Sequence, residues 1–598
     1  MIKKIAPFKK KPIRVVFIVI TSLFITLSAI IIFIGVKWKP ILKETIKNTV
    51  IDVSDSLYHV DFSDIKMNLF TGSVSFKNIE IKTDSITYQK MVATGQAPEH
   101  IFHLKIKQLH IKNIKPFKVY LHRRLDINSI KIIEPELTLT YNRLKNKTDK
   151  SIDTRTTYEK IKNTLQSAKL ENLFLNEIAF VYIDNSLKQP EITKINRVSI
   201  HANDILIDSI SQFDTTRIFH SKDINVQLND FEYTTVDSLY DIQIKHLTGS
   251  TRQKKLIVNG VQLTPRYKEM AFSNLFERQH ERYSLKMDTI KLEEIDISQL
   301  IDYRNVNARK LQLIDGNLSV FLNRSKPKKT IDKGINFPHL ALKRINWTIN
   351  TDTIDIKKIN VAYTEYNPKT NSNGTVFFNN LQGKILNVTN DSALLQKTKF
   401  IDANLHSLFL GKGLLNVNIR FDMLASDGGF SYSGSLKNME LQAVNSLSKP
   451  LAKVTFGSGK LNELDFSVKG NLKGAGGTVK ILYEDMRIGL MKKDSENENF
   501  KRMALLSFLA NNLVLKDSNP LKGEAVRVTH PYYERPREGS FFNLMWKVLF
   551  LGFKETIGIT KQKEAQIKEA SQAFKELMKQ REERRLKRQL RKEQEDKN

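Results

Sequence analysis

Two glycine-rich segments, GSGK at Gly457–Lys460 and GAGG at Gly474–Gly477, and three histidines, His100, His103 and His110, come nearest in type to residues that do chemistry. The glycines would cradle phosphate on backbone N–H groups, and the histidines would ligate a metal or move a proton. Neither pattern is complete. A phosphate-binding loop needs a further glycine upstream of its Gly-Lys pair, which GSGK lacks, and GAGG reads as a turn between strands. The histidines share neither a strand face nor a helical spacing, so they do not converge on one point. The sequence carries no HExxH, GxSxG or dinucleotide-binding fingerprint, and with no cysteine it has no thiolate ligand, thiol nucleophile or disulfide. It reads as a non-enzyme that uses no cofactor and no metal.

What recurs instead is apolar side chains at strand spacing. Leu104–Arg143 aligns without a gap on Leu285–Arg324, with identities at Leu104/Leu285, Lys105/Lys286, Ile114/Ile295, Arg123/Arg304, Leu137/Leu318, Asn142/Asn323 and Arg143/Arg324. The match resumes at Ile178, Phe180 and Tyr182 against Ile359, Val361 and Tyr363, then drifts by about two residues at Val198/Leu381 and Ile205/Val388, as one loop insertion would produce. A unit of roughly 180 residues is too long for a propeller blade or a helical repeat, so it reads as a many-stranded sheet extended by duplication. Within strands the alternation changes phase. Val74 and Phe76 alternate in one phase and Ile79 and Ile81 in the other, and Leu104/Ile106 against Leu109/Ile111 repeats the slip, which predicts bulges at similar points of neighbouring strands. Stacked bends would fold such a sheet into a trough.

Positional signals divide the chain further. Residues 1–14 form a basic tail, and Val15–Val36 is an uncharged apolar run long enough to span a bilayer. The basic residues before it place the N-terminus in the cytoplasm and the body outside, with Trp38, Lys37 and Lys39 at the outer interface. Residues 37–60 read as a membrane-proximal linker with a short amphipathic helix over Thr45–Leu57, followed by β units at 61–264 and 265–445 and a third β region at 446–540. Asp153–Ala168 and Tyr267–Glu281 have helical spacing and read as helices or irregular connections between strand groups, a surface helix packed on the sheet being preferred over an inserted cap. The net charge of +31 is spread through the strands rather than gathered, so most of it lies on a solvated face, and because the anchor places it outside the cytoplasm nucleic acid is not an expected partner. Residues 541–559 are apolar almost all round, with Phe541, Phe542, Trp546, Phe550 and Phe553 as candidates for a membrane interface or a plug on the sheet. Residues 560–598 read as a basic charged helix or coiled coil.

The order of FGSGKLNELDFSVKGN at Phe456–Asn471, GGTVKILYEDMRIGLM at Gly476–Met491, LLSFLANNLVLKDSNP at Leu505–Pro520 and GSFFNLMWKVLFLGFKETIGI at Gly539–Ile559 resembles the C-terminal region of AsmA-like bacterial envelope proteins. NLFTGSVSFKNIEI at Asn68–Ile81 and LDINSIKIIEPELTLTY at Leu125–Tyr141 are similar to that family's N-terminal portion, while the basic C-terminal extension departs from its pattern. The resemblance implies an inner-membrane protein, mainly β, with an N-terminal transmembrane helix, an elongated U-shaped groove and C-terminal helices, carrying phospholipid through the periplasm toward the outer membrane. Its groove-lining candidates by alternation are Val74, Phe76, Leu104, Ile106, Leu137, Leu139, Leu285, Met287, Leu318 and Val320. Alternation alone does not distinguish an open groove from a dry core between sheets. The expected partners are phospholipid, the inner membrane and envelope proteins at the far end. The competing expectation is a scaffold that regulates outer-membrane protein assembly without moving lipid. At 4.8 Å per strand, some thirty strands would reach on the order of 140 Å.

Overall fold

The computed structural model describes residues 38–68, 70–144, 156–186, 190–490 and 516–559 and a few positions beyond. The apolar run at 15–36, the segment at 491–515 and nearly all of the basic extension lie outside the described residues. No helix among the described residues is long and apolar enough to cross a membrane.

The fold is mainly β, with 21 strands in one mixed sheet that is not closed. Two compact units divide it, one formed by residues up to Thr264 together with Lys286–Leu311, the other by Pro265–Leu285 and Gln312 onward.

In the first unit, β1 (Tyr58–Asp61) and β2 (Asp64–Asn68) pair along one side of β3 (Ser73–Thr83), which is followed by β4 (His100–Ile114) and β5 (Arg124–Tyr141). Then come β6 (Ser167–Asp184), β7 (Glu191–Ile207), β8 (Ser221–Thr234), β9 (Tyr240–Ser250) and β10 (Lys255–Pro265). The pairings β3–β4, β4–β5, β6–β7, β7–β8 and β8–β9 are antiparallel, whereas β5 and β6 run parallel. A parallel pair requires the chain to cross back, and the crossover holds the short helix Thr157–Ile161, started by a reciprocal capping box between Thr156 and Glu159. This helix is shorter than the expected Asp153–Ala168. The helix Trp38–Val53 buries Ile46 and Val50 in the core of Val74, Phe76, Leu104, Ile111, Ile130 and Ala202.

The expected phase slips are present as residues with left-handed backbone inside strands: Asn78, Glu134, Glu177, Arg197 and Asp230, with Gly260 in β10. Ladder pairing skips at the same places, from Lys77/Gln108 to Ile79/Ile106, from Ile106/Pro135 to Gln108/Ile133, and from Asn229/His246 to Phe231/Ile244. Each bulge inserts one residue, so apolar residues on both sides of it return to the same face. The extra residues point their polar side chains to the other face, where Lys107 meets Glu134 at 2.6 Å and Arg197 meets Asp230 at 2.8 Å.

β11 (Arg282–Glu293), the helix Ile297–Tyr303 and β12 (Asn305–Asn323) reproduce β4, the helix Pro116–His122 and β5. Arg123 and Arg304 both end their helices in left-handed backbone. Positive φ recurs at Asn113/Glu294, Glu134/Asp315 and Glu177/Lys358, offset by 181, and at Arg197/Asn380 and Asp204/Asn387, offset by 183. The duplication therefore extends to backbone conformation, including the two-residue drift.

In the second unit, β13 (Thr348–Asn367), β14 (Ser372–Thr389), β15 (Phe400–Phe409), β16 (Gly413–Asp422), β17 (Phe430–Glu440), β18 (Val454–Gly470) and β19 (Gly474–Leu490) follow as an antiparallel meander. The short β20 (Val528–Thr529) and β21 (Tyr532–Glu534) pair with β19. Only Glu269–Asn274 of the expected helical segment at Tyr267–Glu281 is helical. The helix Phe541–Thr556 is capped by Ser540 and closes this end of the sheet, burying Phe541, Leu544, Val548, Gly552 and Thr556. Gly552 is required there, since a Cβ at that position would lie 2.8 Å from the Val479 side chain. Arg535 secures the approach to this helix. Its guanidinium donates to the carbonyls of Leu472, Pro536, Arg537 and Gly539 and pairs with Asp332 at 2.9 Å.

Candidate functional site

The glycine segments are strand, not loop. GSGK lies inside β18, where Gly459 has a φ of +121° at a bulge and Ser458 donates to the Asp485 carbonyl. GAGG opens β19 rather than forming a turn, and its glycines let β18 and β21 approach: a Cβ on Gly477 would lie 2.1 Å from the Ser467 carbonyl oxygen, one on Gly474 2.6 Å from that of Tyr533. His103 pairs with Glu80 at 2.7 Å, a hydrogen bond that holds the Glu80 carboxyl below its ordinary value, while His110 contacts Gln108 and His100 packs on Tyr141. Among the described residues no group of three or more histidines and carboxylates could hold a metal ion.

The apolar face is the remaining candidate, and the structure divides its expected members. Val74, Phe76, Leu104, Ile106, Leu137 and Leu139 are only 1–7% exposed. Ile81 faces Leu104, which faces Leu137 on β5, and Ile79 faces Ile106. At β3–β5 the face is thus a closed core. Met287 is also buried, whereas Leu285, Leu318 and Val320 are half-buried.

Farther along the first unit the face is not closed. Of the apolar side chains of β9 and β10 only Pro265, the last residue of β10, is buried. On β8 the half-buried Leu228, Phe231 and Tyr233 face Leu247, Ile244 and Ile242 of β9, forming an apolar ladder that continues in phase across the bulge at Asp230. β10 adds Leu256 and Val258, with Val261 and Leu263 beyond the slip at Gly260, all half-buried, while Ile257 falls in the opposite phase. The opposite phase of β8 is polar, with Gln227, Asn229 and Glu232 exposed. This segment is an apolar sheet face lacking a full covering layer, and sequence alternation did not single it out, because a covered and an uncovered face carry the same pattern.

The second unit has a comparable stretch. Val361 faces Phe378 and Tyr363 faces Val376, all half-buried or partly so, and Phe378 packs on Phe409 at 5.6 Å. Charged groups gather beside it. Tyr363 donates to Glu365 at 3.1 Å, Arg324 pairs with Glu365 at 3.2 Å and Lys333 with Glu281 at 3.0 Å. Burial raises the Tyr363 hydroxyl well above its ordinary value, reinforced by Glu365 and Glu281. Burial also opposes ionisation of Glu281, but Lys333 and Lys329 outweigh it and hold that carboxyl below its ordinary value. The cluster is internally compensated.

Of the expected interfacial residues, Trp38 begins the first described helix. Phe541 is buried against Phe337 and Phe430, and the half-buried Phe553 packs on the same core. Phe542, Trp546 and Phe550 stay exposed on the opposite side of their helix, with Trp546 stacked on Phe550 and Lys547 and Lys554 over the Phe550 ring. Comparison with protein-family models finds no match, and comparison with curated protein sequences finds none either.

Proposed function

We propose that this chain is an envelope protein, anchored in the bacterial inner membrane by Val15–Val36, that carries phospholipid acyl chains on its uncovered apolar sheet face. The half-buried ladder of β8–β10 carries this reading. Apolar surface left in water costs roughly 25 cal/mol per Å², and a folded chain that keeps such a ladder uncovered gains when acyl chains cover it. A bound lipid would have its tails on Leu228, Phe231, Ile244 and Val258 and its head group in water. Transfer by sliding needs no catalytic residue, in keeping with the compensated charge around Tyr363. The AsmA-like order of segments supports the same reading, which extends to a role in outer-membrane integrity.

The shut core at β3–β5 favours a second reading, a scaffold that assists or limits outer-membrane protein assembly without moving lipid. Lipid mass spectrometry on the full chain extracted in mild detergent, joined to photocrosslinking from Ile244 and Val258, separates the two. Phospholipid crosslinked from these positions, and not from the polar-face Gln227 and Glu232, supports transfer. A folded chain free of phospholipid leaves the scaffold reading.

A further inference from the structure

Four large apolar side chains are the most exposed of any among the described residues: Phe70 at 103%, Tyr120 at 82%, Ile210 at 79% and Phe213 at 77%. All four lie at one end of the first unit. Phe70 sits in the β2–β3 turn, beside the end of β4, since Ile114 donates to the Gly72 carbonyl. Tyr120 is on the helix Pro116–His122 that joins β4 to β5, and Ile210 and Phe213 follow β7. These connections touch in sequence. Arg123 donates to the carbonyls of Lys162 and Thr164 beyond the crossover helix, and Thr156 at that helix's start donates to Gln212 at 2.9 Å. The result is a row of apolar tips along a single end of the strands.

The helix Trp38–Val53 points its N-terminus toward the same end. Leu57 accepts from Asp84 at the far end of β3, Lys47 pairs with Asp61, and Lys43 lies 5.6 Å from the Phe62 ring. Moving from Val53 back to Trp38 therefore follows β1 and β2 toward the Phe70 turn. The chain enters this unit from the side on which the exposed tips stand. The charge is basic on balance: the segment Lys112–Arg124 carries Lys112, Lys115, Lys118, Arg123 and Arg124 and no acidic residue, with Lys118 paired to Asp126 at 2.6 Å and Asp214, next to Phe213, paired to Arg217 at 3.3 Å.

We infer that this end of the first unit is a docking ledge that rests on an anionic phospholipid bilayer, with Phe70, Tyr120 and Phe213 entering the interface and the lysines of 112–118 meeting head groups. Aromatic tips with basic neighbours gain from both apolar burial and attraction to a negative surface. The inference rests on the membrane-anchored reading of Val15–Val36, and it fixes how the first unit stands on that membrane.

The absence of cysteine from the sequence makes the test direct. Full-length Phe70→Cys, Tyr120→Cys and Phe213→Cys variants, each labelled with an environment-sensitive fluorophore, are reconstituted into phosphatidylethanolamine–phosphatidylglycerol vesicles. Val236→Cys, in the β8–β9 turn at the other end of the strands, serves as the reference. Labels at 70, 120 and 213 shift to the blue and are quenched by head-group nitroxide lipid several-fold more than the label at 236, and Lys115→Glu with Lys118→Glu weakens the quenching. Labels as water-exposed as that at 236 overturn the ledge, and so does a blue shift that nitroxide lipid does not quench, since a protein would then cover this end. Lipid content by mass spectrometry is read on the same samples, so loss of the ledge with lipid retained leaves the transfer reading intact. A chain that fails to stay with the vesicles removes the anchor on which the ledge rests.

Discussion

His339 shows what a single buried side chain imposes on the second unit. It is 1% exposed, its ring stacks on Phe421 at 4.9 Å, and neither nitrogen makes a well-formed hydrogen bond. Burial, helped by Lys343 and opposed weakly by the Gly428 backbone and Asp422, pushes its pKa from 6.5 down to about 4. The unfolded chain therefore takes up this proton first. Stability associated with neutral His339 is fully present above pH 6.5 and is lost as pH falls toward 4, on the order of 3 kcal/mol in all. His339→Phe keeps the ring and removes the proton site, so denaturant midpoints recorded from pH 7 to pH 4 should fall less steeply for the variant; parallel curves would show that another group governs the acid limb. Neither this histidine nor Arg535 was legible in the sequence. What buries both side chains is packing against strands distant in sequence, which no local pattern records.

The strand elements were more legible than the residues that close them. The phase slips at Val74/Ile79 and Leu104/Leu109 are bulges, and their recurrence at offsets of 181 and 183 follows the duplication read from Leu104–Arg143. The strands run through their bulges, for 11 residues in β3 and up to 20 in β13, and 21 strands are found among the described residues where some thirty were expected. Lys358 tests the bulge directly, since its φ is +53° and its side chain is exposed. Left-handed backbone costs an L-residue about 1 kcal/mol or more, glycine almost nothing and a β-branched residue most. Lys358→Gly should hold or raise stability while Lys358→Val lowers it by roughly 1–2 kcal/mol in urea denaturation; equal effects would mean the bulge relaxes. The helix Phe541–Thr556 makes the complementary case. Its all-round apolar composition concealed which face packs, and the sheet selects Leu544 and Val548, both fully buried. Leu544→Ala should cost about 2–5 kcal/mol by leaving a cavity, while Trp546→Ala on the exposed face should leave the thermal midpoint nearly unchanged. A large loss from Trp546→Ala would show that this face is covered.

At the scale of the whole molecule, the sequence pattern shows that one sheet face is apolar throughout, but not where that face is sealed. Phe76 and Ile244 both alternate with polar neighbours, yet the first is closed in and the second is only half-buried. The difference arises from what the connections lay over each stretch: the Trp38–Val53 helix supplies Ile46 and Val50 to the core that holds Phe76, while β9 and β10 bury no apolar side chain but Pro265 and give none to that core. A charge placed at each position reads this difference. At Phe76 a carboxylate would be buried without a partner, a change that costs several kcal/mol and should prevent the first unit from folding. At Ile244 or Val258 a glutamate can reach water, so Ile244→Glu and Val258→Glu should fold with near-normal circular dichroism. The proposed acyl chains would then meet a charge on their path, and phospholipid recovered with the full chain should drop several-fold in both variants. Folded glutamate variants that retain their lipid would place the acyl chains elsewhere on the sheet, and unfolding at Ile244→Glu comparable to Phe76→Glu would mean that β9 is as closed as β3, leaving no open face along which lipid could move.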